Sequence, residues 1–189
     1  RKKIEYEKNF YNRIAFLNKA ISKYDHNSVK YLEIGVDKNL VFNSIPIPTN
    51  NKIGIDPIQG GTHRMKSRDF FKKNFDKFDV IFIDGDHSYQ GVRQDILDYF
   101  PILAPGGIMA FHDYLPAMND ENRDAILFHH GGQEPGIKQA CEELMEKVYG
   151  CEAIEIPLLY PTDPTQTQAH LPIIPGVFST IRVYRKFTN

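Results

Sequence analysis

Apolar positions recur along this chain with two periods. Phe10, Ile14, Leu17 and Ile21 return every three or four residues, a single helical stripe that predicts an amphipathic opening helix over 4–24, laid on one face of a sheet. Four short runs rich in β-branched and aromatic residues follow, at 30–35, 52–56, 79–84 and 107–111. Nearly continuous apolar runs of that length are the pattern of parallel strands buried on both faces. Between the third and fourth runs, Val92, Ile96, Tyr99 and Phe100 mark a helix that stops before Ala104-Pro105-Gly106-Gly107. Strand, helix and strand in that order imply a right-handed crossover. Ile137, Cys141, Leu144 and Val148 mark another helix, with Pro135 near its start and Gly150 just past its end. Residues 153–159 and 178–185 read as strands, the second alternating through Ile181 and Val183, and can pair antiparallel at the end of the sheet. The predicted class is α/β: a doubly wound, mostly parallel, Rossmann-like sheet with helices on both faces and an antiparallel strand pair at the C-terminal end.

Two stretches fit no regular element. One is 115–136, with an acidic run and His129-His130-Gly131-Gly132; the other is the proline-rich 157–176. Long loops in a compact domain are usually functional or disordered. At 189 residues, 41% hydrophobic and 25% charged, the chain has the size and balance of one globular domain spanning 1–189. Because it starts with Arg1, that domain can be part of a longer polypeptide. A net charge of −1 offers no cationic excess for a phosphate backbone, so a small-molecule partner is expected and nucleic acid is not. No apolar run is long enough for a membrane span, and no membrane partner is expected. The two cysteines, Cys141 and Cys151, lack metal-ligand spacing and read as reduced thiols of a cytoplasmic protein. The oligomeric state is open, a homo-oligomer included.

Composition changes the picture less than position does. Glu33-Ile34-Gly35 closes the first strand, Asp56 the second, Asp84 the third and His112-Asp113 the fourth. Carboxyl ends of a doubly wound sheet line one crevice, where ligands bind at the switch in strand order. One acid at a strand end is as readily a turn former; four polar ends on one rim point to a site. Asp56 follows Gly35 at the spacing of an acid that takes both hydroxyls of a ribose. The first turn reads Gly35-Val36-Asp37-Lys38-Asn39 and lacks the G-x-G-x-x-G that seats a pyrophosphate, and no Walker loop is present. A ribose-bearing ligand without a pyrophosphate remains.

These segments resemble a family. Tyr31-Leu32-Glu33-Ile34-Gly35-Val36, Ile53-Gly54-Ile55-Asp56-Pro57, Gly60-Gly61-Thr62-His63-Arg64-Met65, Phe82-Ile83-Asp84-Gly85-Asp86-His87-Ser88-Tyr89, Pro105-Gly106-Gly107 and Phe111-His112-Asp113-Tyr114 are similar to class I S-adenosylmethionine-dependent methyltransferases. Within that family they resemble the branch of macrolide-sugar and polysaccharide-locus O-methyltransferases. The resemblance implies S-adenosylmethionine as cofactor, with Glu33 and Gly35 at its methionine, Asp56 on its ribose, Met65 and Ser67 near its adenine, and Asp84 beside it. It also implies a divalent metal held by Asp84, His112 and Asp113. In the branch, the position of His112 carries an acid. An imidazole there moves the preference from Mg²⁺ towards Mn²⁺ or Fe²⁺.

Methyl transfer displaces a group in line at a sulfonium methyl, so the protein has mainly to position and deprotonate the acceptor. An alcohol acceptor needs a base or a metal that lowers its pKa. His87 is the expected base, with Asp86 orienting it, against the plainer reading of a histidine that bonds loop backbone. Asp84 and His112 complete the catalytic set, although His112 can equally be ligand, base or structural. His63 and Arg64 can touch the cofactor or lie in a solvated turn. His129 and His130 are expected to be exposed, and Tyr89 to fill the core, with Tyr114 either in the core or stacked on a sugar. The expected acceptor is a hydroxyl on a sugar or glycosylated small molecule. An N-methyltransferase, another small-molecule methyltransferase and a non-catalytic cofactor-binding domain are the alternatives.

Overall fold

The computed structural model describes residues 10–74, 76–160 and 172–187. Its strands are β1 Tyr31–Ile34, β2 Lys52–Ile55, β3 Phe78–Ile83, β4 Leu103–Phe111, β5 Ala153–Leu158 and β6 Ser179–Arg185. The helices are α1 Arg13–Ile21, α2 Leu40–Ser44, α3 Ser67–Phe71, α4 Tyr89–Tyr99, α5 Arg123–His129 and α6 Ile137–Ala140, the last continuing as a π-helix over Cys141–Val148. The six strands form one sheet in the order β2-β1-β3-β4-β6-β5. β2, β1, β3 and β4 run parallel, whereas β6 is antiparallel to both β4 and β5. The chain leaves β1 to one side to make β2 and crosses to the other for β3, so the switch in strand order falls at β1.

Strand periodicity explains why helices must cover both faces. Leu32 and Ile34 of β1, with Ile81 and Ile83 of β3, share a core with Phe70 of α3, Val92, Ile96 and Tyr99 of α4, and Ala140, Leu144 and Met145. The alternate residues Tyr31, Val80 and Phe82 point the other way, into a core with Phe16, Leu17, Ala20 and Ile21 of α1 and Val41 and Phe42 of α2. None of the β1 side chains is left to solvent.

The opening helix is shorter than its apolar stripe. Asn12 caps it by accepting from the Ala15 N–H, and Phe10 lies outside it, bridged to Leu158 beside the sheet; residues 1–9 lie outside the described ones. The stretch 115–136 is not wholly irregular, since α5 lies within it; most of the proline-rich stretch, 161–171, lies outside the described residues. β4 starts at Leu103, earlier than expected, because the Pro-Gly-Gly segment is taken up as an irregularity in its pairing with β3. In the π-helix the wider turn moves the buried face on: Met145 is fully buried, while Val148, expected on the apolar stripe, is 65% exposed. Cys141 and Cys151 are buried free thiols. Among the described residues no helix is long and apolar enough to cross a membrane.

This packing sets an expectation for stability. Leu32 is fully buried between β1 and α4, so Leu32→Ala should cost about 2–5 kcal/mol, whereas Val148→Ala should stay within about 0.5 kcal/mol, both read from urea unfolding midpoints. Equal losses would mean that the phase of the π-helix is misassigned.

Candidate active site

The turns after β1 and β3 touch. Gly35 has φ +85°, and a Cβ there would lie 2.2 Å from the Asp84 carbonyl oxygen, so only glycine permits the two strand ends to approach this closely. The ladder continues past the strands, with the Gly35 N–H donating to Ile55 O at 2.9 Å and the Asp84 N–H to Ile34 O at 2.8 Å. Asp37 and Asn39 take left-handed conformations at φ 49° and 65°, so Asn39 supplies the positive φ that a glycine would otherwise supply. Under these turns lies a cavity of about 750 Å³ whose walls include Glu33, Gly35, Asp56, Ser67, Asp84 and Asp95.

Asp56 is held by backbone. Its carboxylate accepts from the N–H groups of Ile58 at 2.8 Å, Gln59 at 3.0 Å and Asp37 at 3.0 Å. Burial pushes its pKa up, but these bonds outweigh it and hold it below the usual range. Glu33 behaves oppositely. Burial lifts its pKa to about 8 although the Tyr31 hydroxyl donates to it at 2.7 Å, so it is protonated at neutral pH. Ser67 donates to Asp95 at 2.6 Å, and burial raises Asp95 to about 7.

Beside the cavity, the ends of β3 and β4 bring a second set of groups together. His112 Nδ1 lies 3.1 Å from Asp84 Oδ1 and 3.2 Å from Asp113 Oδ2. Arg13, in the first turn of α1, reaches across to Asp84 Oδ2 at 2.5 Å. Asp113 sits at φ 51°, an uncommon conformation for a non-glycine residue, and the Ser179 hydroxyl of β6 donates to its carboxylate. Burial alone would raise both aspartates; Arg13 and His112 outweigh it at Asp84, as His112 does at Asp113, and both stay ionised. His112 is pushed down by burial but carried up to about 9 by the two carboxylates. Two carboxylates crowded at adjacent strand ends need a cation or a shared proton between them. Arg13 and protonated His112 are the cations this structure supplies.

His87 lies at the rim of this set, with Nε2 3.5 Å from Asp84 Oδ1 and Nδ1 3.9 Å from Asp113 Oδ2. Burial lowers its pKa, and the two carboxylates more than reverse that. The orienting contact does not come from Asp86, which is exposed and accepts from the Ser88 N–H. His130 makes it instead, with Nδ1 3.2 Å from His87 Nδ1. His129 and His130 are thus not the exposed pair expected: both are half-buried, and burial takes His130 down to about 4. Met65 packs against the core on the α4 side and is not among the residues lining the cavity. The His63 N–H bonds Gly54 O and Arg64 donates to Ile58 O, so both serve the turn after β2. Tyr114 is buried in the core; Tyr89 is only half-buried, with its hydroxyl donating to Glu143. Arg13 was readable in principle, being a cation one turn ahead of Leu17 on the buried stripe of α1.

Stability should follow these proton affinities. Glu33 (about 8 against 4.5), Asp95 (about 7 against 3.8) and His112 (about 9 against 6.5) bind protons more tightly folded than unfolded, so their contribution falls as pH rises through those windows. Asp56, Asp84 and Asp113 are held low and lose theirs as pH falls below the ordinary carboxylate range. The thermal midpoint of the cofactor-free protein should peak near pH ~5 and decline towards pH ~9, with His112→Asn flattening the upper part. A midpoint that climbs between neutrality and pH ~9 would contradict these assignments.

The comparisons with known proteins bear on this geometry. Residues 54–114, from β2 to just past β4, match the family model of a methyltransferase domain. A comparison with curated proteins finds no match. Among solved structures, the chain is similar to the O-methyltransferase TomG from Streptomyces achromogenes, involved in tomaymycin synthesis and solved in complex with SAM. That likeness has a TM-score of 0.58 and 10% identity, over 90% of this chain and 78% of that one. It is similar to the N-methyltransferase NodS from Bradyrhizobium japonicum, with a TM-score of 0.54 and 15% identity over 91% of this chain and 92% of that one. It is also similar to MycE, a methyltransferase of the mycinamycin biosynthetic pathway solved with Mg and SAH, with a TM-score of 0.50 and 17% identity over 91% of this chain and 48% of that one. At such identities the structural likeness is one of fold. Over residues 54–114 the chain thus matches a methyltransferase domain, and across its length it shares the fold of S-adenosylmethionine-dependent methyltransferases.

Proposed function

We propose that the chain, as a single domain, is an O-methyltransferase acting on a hydroxyl of a sugar or sugar-bearing small molecule, assisted by a divalent metal. The observation that carries this reading is the joining of two sites by Asp84, which lines the cavity and also anchors the cluster with His112 and Asp113. In support of the acceptor class stand the Asp84-Gly85-Asp86-His87-Ser88-Tyr89 and His112-Asp113-Tyr114 segments, which resemble the sugar O-methyltransferase branch.

The cavity suits the cofactor. Gly35 leaves room for close approach at the switch point, Glu33 stands beside it for the methionine, and Asp56 has carboxylate lone pairs left for ribose hydroxyls after its three backbone bonds. Ser67, with Asp95, closes the side assigned to adenine. Met65, behind the wall, would act there only through packing.

His87, with buried Nε2 3.5 Å from Asp84 Oδ1, is the residue that would take the acceptor's proton. Asp84 and Asp113 stabilise the imidazolium that forms. The metal donors are Asp84 Oδ1, His112 Nδ1 and Asp113 Oδ2, while Arg13 holds the other oxygen of Asp84. This mixed nitrogen and oxygen set suits Mn²⁺ or Fe²⁺ better than Mg²⁺. Bound there, the metal supplies a Lewis acid that lowers the pKa of the acceptor hydroxyl. The stretch 115–136 reaches the same rim, where the Gly136 N–H bonds His87 O at 2.9 Å, and it forms the acceptor side.

Two measurements test the reading. Asp56→Ala should weaken S-adenosylmethionine binding by about 1.5–3 kcal/mol in calorimetry, with circular dichroism confirming the fold; unchanged affinity would displace the ribose from Asp56. Methyl transfer to sugar hydroxyls by chelator-stripped protein should return with Mn²⁺ or Fe²⁺, and Asp84→Ala or His87→Ala should each lower kcat by about 10²–10⁴-fold. Because His112 must lose its proton to ligate, Mn²⁺ affinity should rise as pH approaches about 9. Full activity without metal would remove the metal from the mechanism.

A further inference from the structure

His130 touches the ring of His87, and methyl transfer as proposed gives it no chemical step of its own. It follows α5 directly, in a segment whose other end is tied to His87 through the Gly136 N–H. Its ring packs edge-on against that of His87, with centroids 5.0 Å apart at 60°. The Nδ1 atoms of the two rings face each other at 3.2 Å, and Asp113 Oδ2 stands 3.9 Å from His87 Nδ1. One nitrogen from each histidine and one oxygen from Asp113 all lie within 4.8 Å of one another. The Nε2 atoms of both rings are buried without a hydrogen-bond partner.

Those spacings fit ligands of one ion. Imidazole nitrogens bind Zn²⁺ at roughly 2.0–2.1 Å, so two neighbouring ones on an octahedral or tetrahedral ion lie roughly 2.8–3.4 Å apart. Two imidazoles and one carboxylate form a donor set for first-row transition metals and a poor one for Mg²⁺, which prefers oxygen. The set differs from Asp84, His112 and Asp113 in two of its three members and shares Asp113 Oδ2 with it.

We infer that His87, Asp113 and His130 form a second cation position, selective for a nitrogen-preferring divalent transition metal such as Zn²⁺. An ion held there engages the ring of His87. On the reading that His87 is the base, it withdraws that base from the acceptor, so the position is inhibitory and the shared carboxylate couples it to the assisting metal. The same enzyme would then be helped by one ion and silenced by a softer one.

The test reads binding in the absence of cofactor and acceptor, so its outcome does not depend on methyl transfer. The full chain carrying Asp84→Asn, which weakens the first set, is titrated with Zn²⁺ against a chromophoric chelator, with and without His130→Ala. One Zn²⁺ per chain is expected in Asp84→Asn, and His130→Ala should weaken it by at least the 10–100-fold that loss of even an outer partner of a metal ligand costs. His130→Cys, which restores a ligand, should recover tight binding. Should Asp84→Asn fail to fold, the same comparison is made in the otherwise unchanged chain, where His130→Ala should remove one of two equivalents. Zn²⁺ binding that is indifferent to His130→Ala, or no Zn²⁺ binding at all, would overturn the inference and leave His87 and His130 as a hydrogen-bonded pair only. His130-dependent Zn²⁺ binding by a chain that shows no methyl transfer even with Asp84 intact would uphold the site and overturn the base assignment.

Discussion

A carboxylate as enclosed as Asp84 can stay ionised only with positive charge against it, and the molecule supplies that charge from the far end of its sequence. Arg13 is 71 residues away along the chain and arrives only because α1 docks on the sheet through Phe16, Leu17, Ala20 and Ile21. Docking and neutralisation therefore support each other: the apolar stripe places the guanidinium, and the guanidinium makes the strand end tolerable. Breaking such a pair by removing one partner is costly because it strands the other charge. The cluster built on Asp84 inherits this dependence, including the protonation of His112 and the position of His87.

The two halves of the site differ in how they are built. Around the cavity, backbone geometry dominates: glycine at 35, left-handed residues at 37 and 39, and three N–H groups on Asp56. Around the cluster, side chains from β3, β4, α1 and the segment after α5 converge, and their charges set one another's proton affinities. A rigid pocket suits a cofactor whose shape is constant. A group of mutually adjustable charges suits the place where a proton must move.

Much of this could be read from the chain before its coordinates. Strand ends are legible because a buried parallel strand is a short apolar run, and the first polar residue after it must lie on the rim; Asp56, Asp84, His112 and Asp113 were located in that way, and Glu33 as the polar residue within the end of β1. The parallel body of the sheet and its antiparallel end followed from alternation and from the crossover rule, whereas the strand order, with β6 between β4 and β5, came only from the structure. What escaped was whatever depends on a distant partner. Arg13 stands on the buried stripe of α1, but nothing local names its partner, nor separates His130 from an exposed loop histidine, and their meaning comes from what the fold sets opposite them. Val148 escaped for another reason: periodicity reasoning assumes an α-turn, and the π-helix does not keep to it.

The insertion of β6 between β4 and β5 has a consequence for the order of assembly. While a ribosome is still making residues 179–185, β4 has an open edge of backbone donors and acceptors, and β5 has only its bridge to Phe10. The turn carrying Asp113 is unfinished too, because Ser179 and Thr180 of β6 hold it through the Asp113 carboxylate and the N–H groups of Tyr114 and Leu115. The walls of the cavity all lie before β5 in the chain, whereas the acid and histidine cluster takes its last wall from β6.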